Sequence, residues 1–249
     1  MFFFPLRDDN DTRRRPFITW LIFGLCIAVF IWQMGLGHTE RDMILAYGMI
    51  PARIFGYVSM PEELHLLPGW MTLISSMFMH GGFMHLAGNM LYLWIFADNV
   101  EDSTGPLRFL LLYSISGLVA AFSHALMEPS STTPMIGASG AIAGVLGAYL
   151  MLHPRANVKC IVGIFIFFRF VNVPAFLVLI GWFILQFIGL SSNDGPVAYM
   201  AHIGGFVAGA ALIPFFKRRD IKLFDGPHSR AFEVSANYRP RHIPQIPPR

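Results

Sequence analysis

Three separate stretches of the sequence carry side chains that could perform hydrolytic chemistry. Ser139 stands in "IGASGAIAG", His202 in "YMAHIGGFVAGA", and His80, His85 and Asn89 in "MHGGFMHLAGNM". A serine hydroxyl within hydrogen-bond reach of a histidine nitrogen is the minimum apparatus for covalent acyl transfer. His85 and Asn89 are four residues apart, on one face of a helix. Both can donate hydrogen bonds to a developing oxyanion, together with the backbone N–H of Ser139.

Each of these residues also has a purely structural interpretation. A serine between Gly and Ala in a membrane helix is commonly a small packing residue. The glycines around Ser139 have the spacing of a helix-packing face: Gly137, Gly140, Gly144 and Gly147. A single histidine in an apolar helix is more often a hydrogen-bonded structural residue than a catalyst. His80 precedes two glycines, so we expect it before its helix, tying an outer loop to the bundle.

A metal site and a soluble hydrolase site both fit these residues less well. His80 and His85 would point about 140° apart on a continuous helix, unlike the i, i+4 histidine pair of zinc hydrolases. The apolar segments that hold the candidate residues contain no carboxylate. Position 141 is Ala, where the GxSxG elbow of soluble hydrolases has its second Gly. We therefore expect neither a metal ion nor another cofactor.

The composition is that of a membrane protein. Hydrophobic residues make up 55% of the 249 residues and charged residues only 13%, with 24 Phe. The formal net charge of +3 comes from basic residues between and beyond the apolar segments. This distribution suits anionic lipid head groups better than nucleic acid. Cys26 and Cys160 both lie in or beside apolar segments, so they offer neither a disulfide framework nor a CxxC motif.

Six apolar segments approach the roughly 20 residues that a helix needs to cross a membrane. They are residues 17–36, 78–97, 106–127, 136–152, 171–190 and 197–216. With a cytoplasmic N-terminus, 16 of the 18 Lys and Arg residues fall on the cytoplasmic side, and only Arg41 and Arg53 fall outside. We predict an all-α membrane protein, a bundle of six transmembrane helices with cytoplasmic N- and C-termini.

The rest of the chain is assigned around this bundle. Residues 1–16 form a cytoplasmic segment, 17–216 the membrane domain, and 217–249 a basic, Pro-rich cytoplasmic tail that we predict to be disordered. The long outer loop 38–77 contains large apolar residues and is expected to rest in the membrane interface. The apolar run 158–170 is too short to cross, so we interpret it as a membrane-embedded or interfacial connection.

This topology brings the polar residues to one level. The second, fourth and sixth spans all start on the outer side, and Ser139, His202 and His85 lie roughly 5, 8 and 10 Å below those starts. Polar groups inside a membrane are costly and indicate a function. Gly205 and Gly209 give the sixth span a small face beside His202. We therefore predict that Ser139 and His202 touch near the extracytoplasmic mouth of the bundle.

On these residues the chain resembles the rhomboid family of intramembrane serine proteases, over roughly residues 17–216. The motifs that carry the resemblance are GxSG at 137–140, the series His80, His85 and Asn89, and an AHxGG-like motif at Ala201, His202, Gly204 and Gly205. The resemblance implies that Ser139 attacks a peptide carbonyl with His202 as general base and acid. It also implies that His85, Asn89 and the Ser139 amide hold the oxyanion.

The resemblance also implies the partners. Substrates would be other membrane proteins, cut in or near a transmembrane helix that unwinds locally, usually after a small residue, within the lipid bilayer and without nucleic acid. A short basic N-terminus without a transit peptide favours a bacterial inner membrane. The alternative is a non-catalytic rhomboid-like protein that captures membrane proteins for quality control. A transporter or channel is disfavoured, because the spans lack acidic residues and the chain lacks inverted repeats.

Two positions depart from the family pattern. Many relatives carry Trp-Arg in the first outer loop, whereas here Trp70 is followed by Met71, so we expect an arginine contribution to that loop to be missing. Some relatives stack a Tyr on the catalytic His four residues after the nucleophile, where this chain has Ala143. The motifs therefore leave the orientation of His202 unexplained. Glu128 and Asp194 lie in outer loops, and we disfavour both as a third triad member because they are exposed.

Overall fold

The computed structural model describes residues 2–164, 167–192 and 197–226. Within these residues the helices are α1 (Phe17–Gly35), α2 (Glu40–Tyr47), α3 (Pro51–Ile54), α4 (Thr72–Ser75), α5 (Phe83–Thr104), α6 (Pro106–Met127), α7 (Ser139–Leu152), α8 (Ala175–Ser192) and α9 (Tyr199–Phe216). The strands are β1 (Phe2–Asp8), β2 (Asn157–Ile164) and β3 (Phe167–Pro174). The fold is mostly helical.

Six of these helices correspond to the six predicted spans, with shifted boundaries. Four of them, α1, α6, α8 and α9, are long and apolar enough to cross a membrane. The helix α5 has 22 residues but buries several polar side chains, including Asn89, Asn99 and Glu101. The helix α7 has only 14 residues. The helix α7 is surrounded by other helices, whereas α5 buries only one side and leaves Phe83, Met84 and Trp94 exposed.

The helix α7 forms the centre of the bundle, because its small residues let other helices approach closely. Of its 14 residues, 11 are buried. A Cβ atom at Gly205 on α9 would overlap the carbonyl oxygen of Gly140 on α7, and a Cβ at Gly209 would overlap that of Gly144. Backbone therefore packs directly on backbone between α7 and α9. The predicted glycine faces hold for Gly140, Gly144 and Gly147 on α7 and for Gly205 and Gly209 on α9, whereas Gly137 precedes α7 and lies beside His85.

The predicted start of the fourth span was wrong. The helix α7 begins at Ser139 rather than at residue 136, so Ser139 is its first residue and not one turn inside it. The cause is Gly137, which has a φ of +127° and donates its backbone N–H to the Ser76 carbonyl at 2.9 Å. Similarly, α5 begins at Phe83, after Gly81 and Gly82, rather than at residue 78. His80 lies before this helix, as predicted.

The all-α prediction missed a three-stranded antiparallel sheet with the order β1-β2-β3. Residues 158–170, interpreted above as an interfacial connection, contribute most of the hairpin β2–β3, and residues 171–174 extend β3 instead of opening a span. The N-terminal strand β1 pairs with β2, with Phe4 opposite Ile161. Val158 and Cys160 are fully buried against the helices. An apolar run of strand length was mistaken for a membrane segment.

Asp8 anchors the sheet to the helices at the end of the bundle remote from Ser139. Its Oδ2 atom accepts hydrogen bonds from the Tyr149 hydroxyl at 2.6 Å and from the Asn99 side-chain amide at 2.8 Å. Tyr149 lies about 15 Å along α7 from Ser139. The N-terminal segment is thus bound to α5 and α7 by a buried polar contact.

The residues that follow α9 pack against the end of the bundle that is remote from Ser139. The backbone N–H of Arg218 donates to the Ser103 carbonyl at 2.9 Å. The N–H groups of Phe224 and Asp225 donate to the carbonyls of Met151 and Leu152, each at 2.8 Å. These bonds satisfy carbonyl groups that the end of α7 leaves open. The prediction of a disordered tail falls mainly on 227–249, which lie outside the described residues.

The outer loop 38–77 is built from short helices held by one arginine. The Arg53 guanidinium is buried and donates to the carbonyl oxygens of Ala46, at 3.1 Å, and Leu67. Ala52 bonds the loop to the 128–138 connection through the Ser131 carbonyl, at 2.9 Å. The expectation that this loop lacks an arginine contribution was wrong, because Arg53 bonds two of its segments together.

Candidate active site

Ser139 and His202 are in hydrogen-bond contact. Ser139 is the first residue of α7, and His202 lies in the first turn of α9. The Ser139 Oγ atom is 2.8 Å from His202 Nε2. Both residues are half-buried, so the pair is reachable from outside the bundle while the surrounding helices hold its geometry.

The helix packing explains why these two side chains meet. Gly140 follows Ser139 directly, and its carbonyl group touches Gly205, which lies one turn after His202. No side chain separates the two backbones at this level, because a Cβ on Gly205 would collide with the Gly140 carbonyl. A hydroxyl and an imidazole that flank such a contact are brought within hydrogen-bond distance.

His85 lies beside the backbone just before Ser139, at Gly137. The Gly81 N–H donates to His85 Nδ1 at 3.3 Å, so the ring proton of the neutral imidazole is on Nε2. A Cβ atom on Gly137 would lie 2.8 Å from His85 Nε2 and 3.6 Å from Ser139 Oγ. The space that Gly137 leaves free therefore opens between an N–H donor and the serine hydroxyl.

Asn89 offers a second donor one turn further along α5. Its side chain is only 7% exposed, and its Nδ2 atom is buried without a hydrogen-bond partner among the described residues. Burying an unpaired donor is unfavourable by about 1–3 kcal/mol. A structure that tolerates this penalty beside His85 holds a donor ready for an acceptor that arrives with a ligand.

His80 is locked by Gln33 of α1. The Gln33 side chain donates to the His80 carbonyl at 3.1 Å and accepts the His80 backbone N–H at 3.0 Å, and both residues are fully buried. The rings of His80 and His85 meet edge to face, with centroids 5.3 Å apart. His80 thus lies where it can support the ring of His85 from the outer loop.

Two residues on α8 contact His202, and the sequence motifs did not include them. Gln186 Oε1 is 2.8 Å from His202 Nδ1. The Trp182 ring lies over the imidazole, with centroids 5.7 Å apart and planes inclined at 35°. Gln186 could have been found, because an amide inside the apolar run "FLVLIGWFILQFIGL" is an intramembrane polar group like the others.

Glu128, one of the two acidic residues considered above as a third triad member, does not contact His202 Nδ1. Within the described part of the chain, the side chain bonded to His202 Nδ1 is Gln186 and not Glu128, which follows the end of α6. Asp194 lies outside the described residues. An uncharged amide therefore occupies the position next to the imidazole.

Comparison with known proteins agrees with this architecture. Residues 68–219 match the family model described as the Rhomboid domain. Rhomboid protease GluP of Bacillus subtilis is 30% identical over 200 residues, covering 80% of this chain and 35% of that protein. Rhomboid protein 1, mitochondrial, of Saccharomyces cerevisiae is 31% identical over 189 residues, covering 68% and 51%.

Rhomboid protease GlpG of Klebsiella pneumoniae is 26% identical over 211 residues, covering 85% of this chain and 65% of that protein. The chain thus spans about a third to two thirds of the length of these relatives. The matched rhomboid domain covers more than half of the 249 residues and includes Ser139 and His202. The chain belongs to the rhomboid family.

Proposed function

We propose that this protein is an intramembrane serine endopeptidase that uses a dyad of Ser139 and His202. The observation that carries the proposal is the 2.8 Å contact between Ser139 Oγ and His202 Nε2 in a half-open site. The names of the relatives GluP and GlpG, both rhomboid proteases, support it. The apolar helices make the chain an integral membrane protein, so the peptide bond to be cut must reach the site from a membrane environment.

The first half of the reaction forms an ester. His202 Nε2 accepts the proton of the Ser139 hydroxyl while Oγ attacks the substrate carbonyl carbon, and the carbonyl electron pair moves onto its oxygen. The tetrahedral intermediate collapses when the C–N bond breaks. His202 gives its proton to the leaving amine, so the imidazole is neutral again and Ser139 carries the acyl group.

Three donors are available for the oxyanion. The Ser139 N–H is the first of α7 and has no partner within the helix, at the positive end of the helix dipole. His85 contributes Nε2–H, since its Nδ1 accepts the Gly81 N–H. Asn89 contributes the Nδ2 that otherwise has no partner among the described residues. Donors fixed before the reaction stabilise charge that develops only in the transition state.

The second half of the reaction returns the enzyme to its starting state. A water molecule gives a proton to His202 Nε2 and attacks the ester carbonyl, and the same donors hold the second oxyanion. Collapse breaks the bond to Oγ, which takes the proton back from His202 and releases a carboxylic acid product. The partial exposure of Ser139 and His202 gives water a route to the site.

The substrate class and location extend this proposal. We infer that substrates are membrane proteins cut in or near a transmembrane helix that unwinds locally, because an extended peptide bond must enter the site. We further infer six spans with both termini in the cytoplasm, on the basis of the 16 basic residues assigned to that side, and we propose a bacterial inner membrane as the location. Cysteines introduced at Tyr57 and Lys222 test this topology with an impermeant maleimide, which should label only Tyr57→Cys in intact cells.

The test of the activity uses the purified protein in liposomes with a single-span substrate whose helix contains small residues. Ser139→Ala and His202→Ala should each lower cleavage by about 10⁴-fold or more, with unchanged folding. A fluorophosphonate should add to the tryptic peptide that contains Ser139 in the wild type only. Ser191→Ala and His38→Ala are matched controls, since both residues are exposed at helix ends. Binding of the helix without cleavage by the wild type would instead support the non-catalytic alternative.

A further inference from the structure

Gln186 is the residue on α8 whose side chain points at the imidazole of His202. It is only 6% exposed, and its Oε1 atom lies 2.8 Å from His202 Nδ1. The mechanism above uses only the opposite nitrogen, Nε2. A buried amide fixed on the remaining nitrogen of a general base can decide which nitrogen carries the proton.

The hydrogen bonds of Gln186 have only one consistent direction. Its Nε2 lies 2.8 Å from the Trp182 carbonyl oxygen, which can only accept, so the amide nitrogen is the donor there. The amide oxygen therefore faces His202 and must accept a proton from Nδ1. A neutral imidazole has a single N–H. Its Nε2 is consequently left with a lone pair, directed at Ser139 Oγ at 2.8 Å.

We propose that Gln186 is a positioning residue that holds His202 in the tautomer and orientation able to accept the Ser139 proton. The inference rests on the proposed function. It describes a chain of four groups, from the Trp182 carbonyl through the Gln186 amide and the His202 imidazole to the Ser139 hydroxyl. In Ser-His-Asp proteases an aspartate fixes the imidazole. An amide performs the same orientation without burying a carboxylate in an apolar bundle.

Trp182 completes the support from the same side of α8. It lies one turn before Gln186, and its indole covers the imidazole face while its carbonyl fixes the Gln186 amide. Rotation of the His202 ring about its χ2 would break the bond at Nδ1 and change its ring contact with the indole. One turn of α8 therefore restrains the ring by its edge and by its face.

An uncharged partner has a consequence that distinguishes it from aspartate. The Gln186 amide orients the imidazole but cannot offset the positive charge that His202 gains as a base. The other titratable groups that act on His202 in the described residues are His85 and His124, and neither is an anion at any pH. Gln186→Glu should therefore keep the orientation and favour the imidazolium.

The decisive experiment compares Gln186→Met, Gln186→Glu and a control, Leu185→Met, which changes a lipid-exposed neighbour on the same helix. Gln186→Met should lower kcat by about 10²–10³-fold with little change in KM. Gln186→Glu should recover most of kcat, and the acid limb of its pH–rate profile should move upward by about one pH unit. Leu185→Met should behave as the wild type. Wild-type kcat in Gln186→Met, or an unmoved acid limb in Gln186→Glu, would overturn the proposal.

A spectroscopic measurement separates this inference from the proposed function. The ¹⁵N shifts of His202, measured in the Ser139→Ala protein in micelles, report which ring nitrogen is protonated and need no activity. Nδ1–H should dominate, and Gln186→Met should increase the share of Nε2–H. If the wild type fails to react with a fluorophosphonate while the shifts change as expected, only the enzymatic proposal fails. If it reacts and the shifts are insensitive to Gln186, only the positioning role fails.

Discussion

Thr19 donates both its backbone N–H and its hydroxyl to one carboxylate oxygen of Glu101, at 2.8 Å in each case. The other carboxylate oxygen accepts the N–H of Ile18 at 3.0 Å. The first turn of α1 contains no acidic residue and no side-chain cap of its own. Glu101 on α5 therefore caps α1 from outside the helix, in a position where it is only 3% exposed.

Removal of this cap should destabilise the fold. Glu101→Ala leaves three donors without an acceptor, two of them buried, and we expect a loss of about 2–4 kcal/mol in the free energy of unfolding. Unfolding by denaturant in detergent micelles measures the loss. Glu62→Ala removes an exposed carboxylate of the outer loop and serves as the control. Equal stability of the two variants would contradict the capping role.

The bond between Asp8 and Tyr149 should make the stability of the protein depend on pH. Burial, together with the nearby carboxylates Asp98 and Asp9, raises the pKa of Asp8 to about 8, although the Tyr149 hydrogen bond works in the opposite direction. The folded state thus holds a proton on Asp8 that the unfolded chain releases near pH 4. The stability gained from this proton is complete below pH 4 and is lost as the pH rises to about 8.

Asp8→Asn keeps an oxygen atom that can accept the hydrogen bond from Tyr149, but its side chain does not titrate. The free energy of unfolding of this variant, relative to the wild type, should rise between pH 5 and pH 8 and then level off. Chemical unfolding in micelles across this range gives the difference. Thr133→Ala changes an exposed side chain that cannot titrate and should leave the pH dependence of unfolding as in the wild type.

Asn89 should matter for the reaction and not for the fold. Asn89→Ala removes a proposed oxyanion donor, and kcat should fall by about 10²–10³-fold with KM nearly unchanged. The same substitution removes a buried donor that has no partner in the described structure, so the unfolding free energy should stay equal or increase slightly. A parallel loss of activity and stability would indicate that Asn89 is a structural residue.

The same substitution, Gly to Ala, can be compared at a glycine packed between α7 and α9 and at an open glycine on α8. Gly209→Ala inserts a methyl group into the Gly144 carbonyl, and we expect about 1–3 kcal/mol of destabilisation together with reduced cleavage. Gly181→Ala on α8 meets no atom within 4 Å and should stabilise its helix by up to about 1 kcal/mol. Similar effects of the two substitutions would show that the contact is not tight.

Sequence reasoning reached the residues of the site because each has a local signal. A hydroxyl or an imidazole in an apolar helix is costly, and Gly140, Gly205 and Gly209 mark where helices approach closely. From these signals we predicted that Ser139 and His202 lie at similar depth in the bundle. The exact helix start could not be read from hydropathy, because the positive φ of Gly137 is a property of the backbone turn and not of apolar content.

The parts that sequence reasoning missed depend on contacts between distant residues. Gln186 and Trp182 lie on α8 and contact His202 on α9. Neither residue belongs to a short motif. The strands β2 and β3 are apolar runs whose length fits either a strand or a buried segment, and the pairing of β2 with β1 depends on residues far away in the chain. The bonds from Arg53 to the carbonyl groups of Ala46 and Leu67 join parts of the loop that no short motif connects.

The contact between Gly140 and Gly205 has a consequence for how this protein can vary. The alignment of the serine with the histidine is determined by main chain resting on main chain, and peptide groups, unlike side chains, are identical at every position. A larger residue at Gly205 meets the Gly140 carbonyl and forces the helices apart, and no exchange elsewhere can trim a peptide group to bring them together again. We therefore expect a position without a single reactive atom to tolerate as little change as the reacting pair itself.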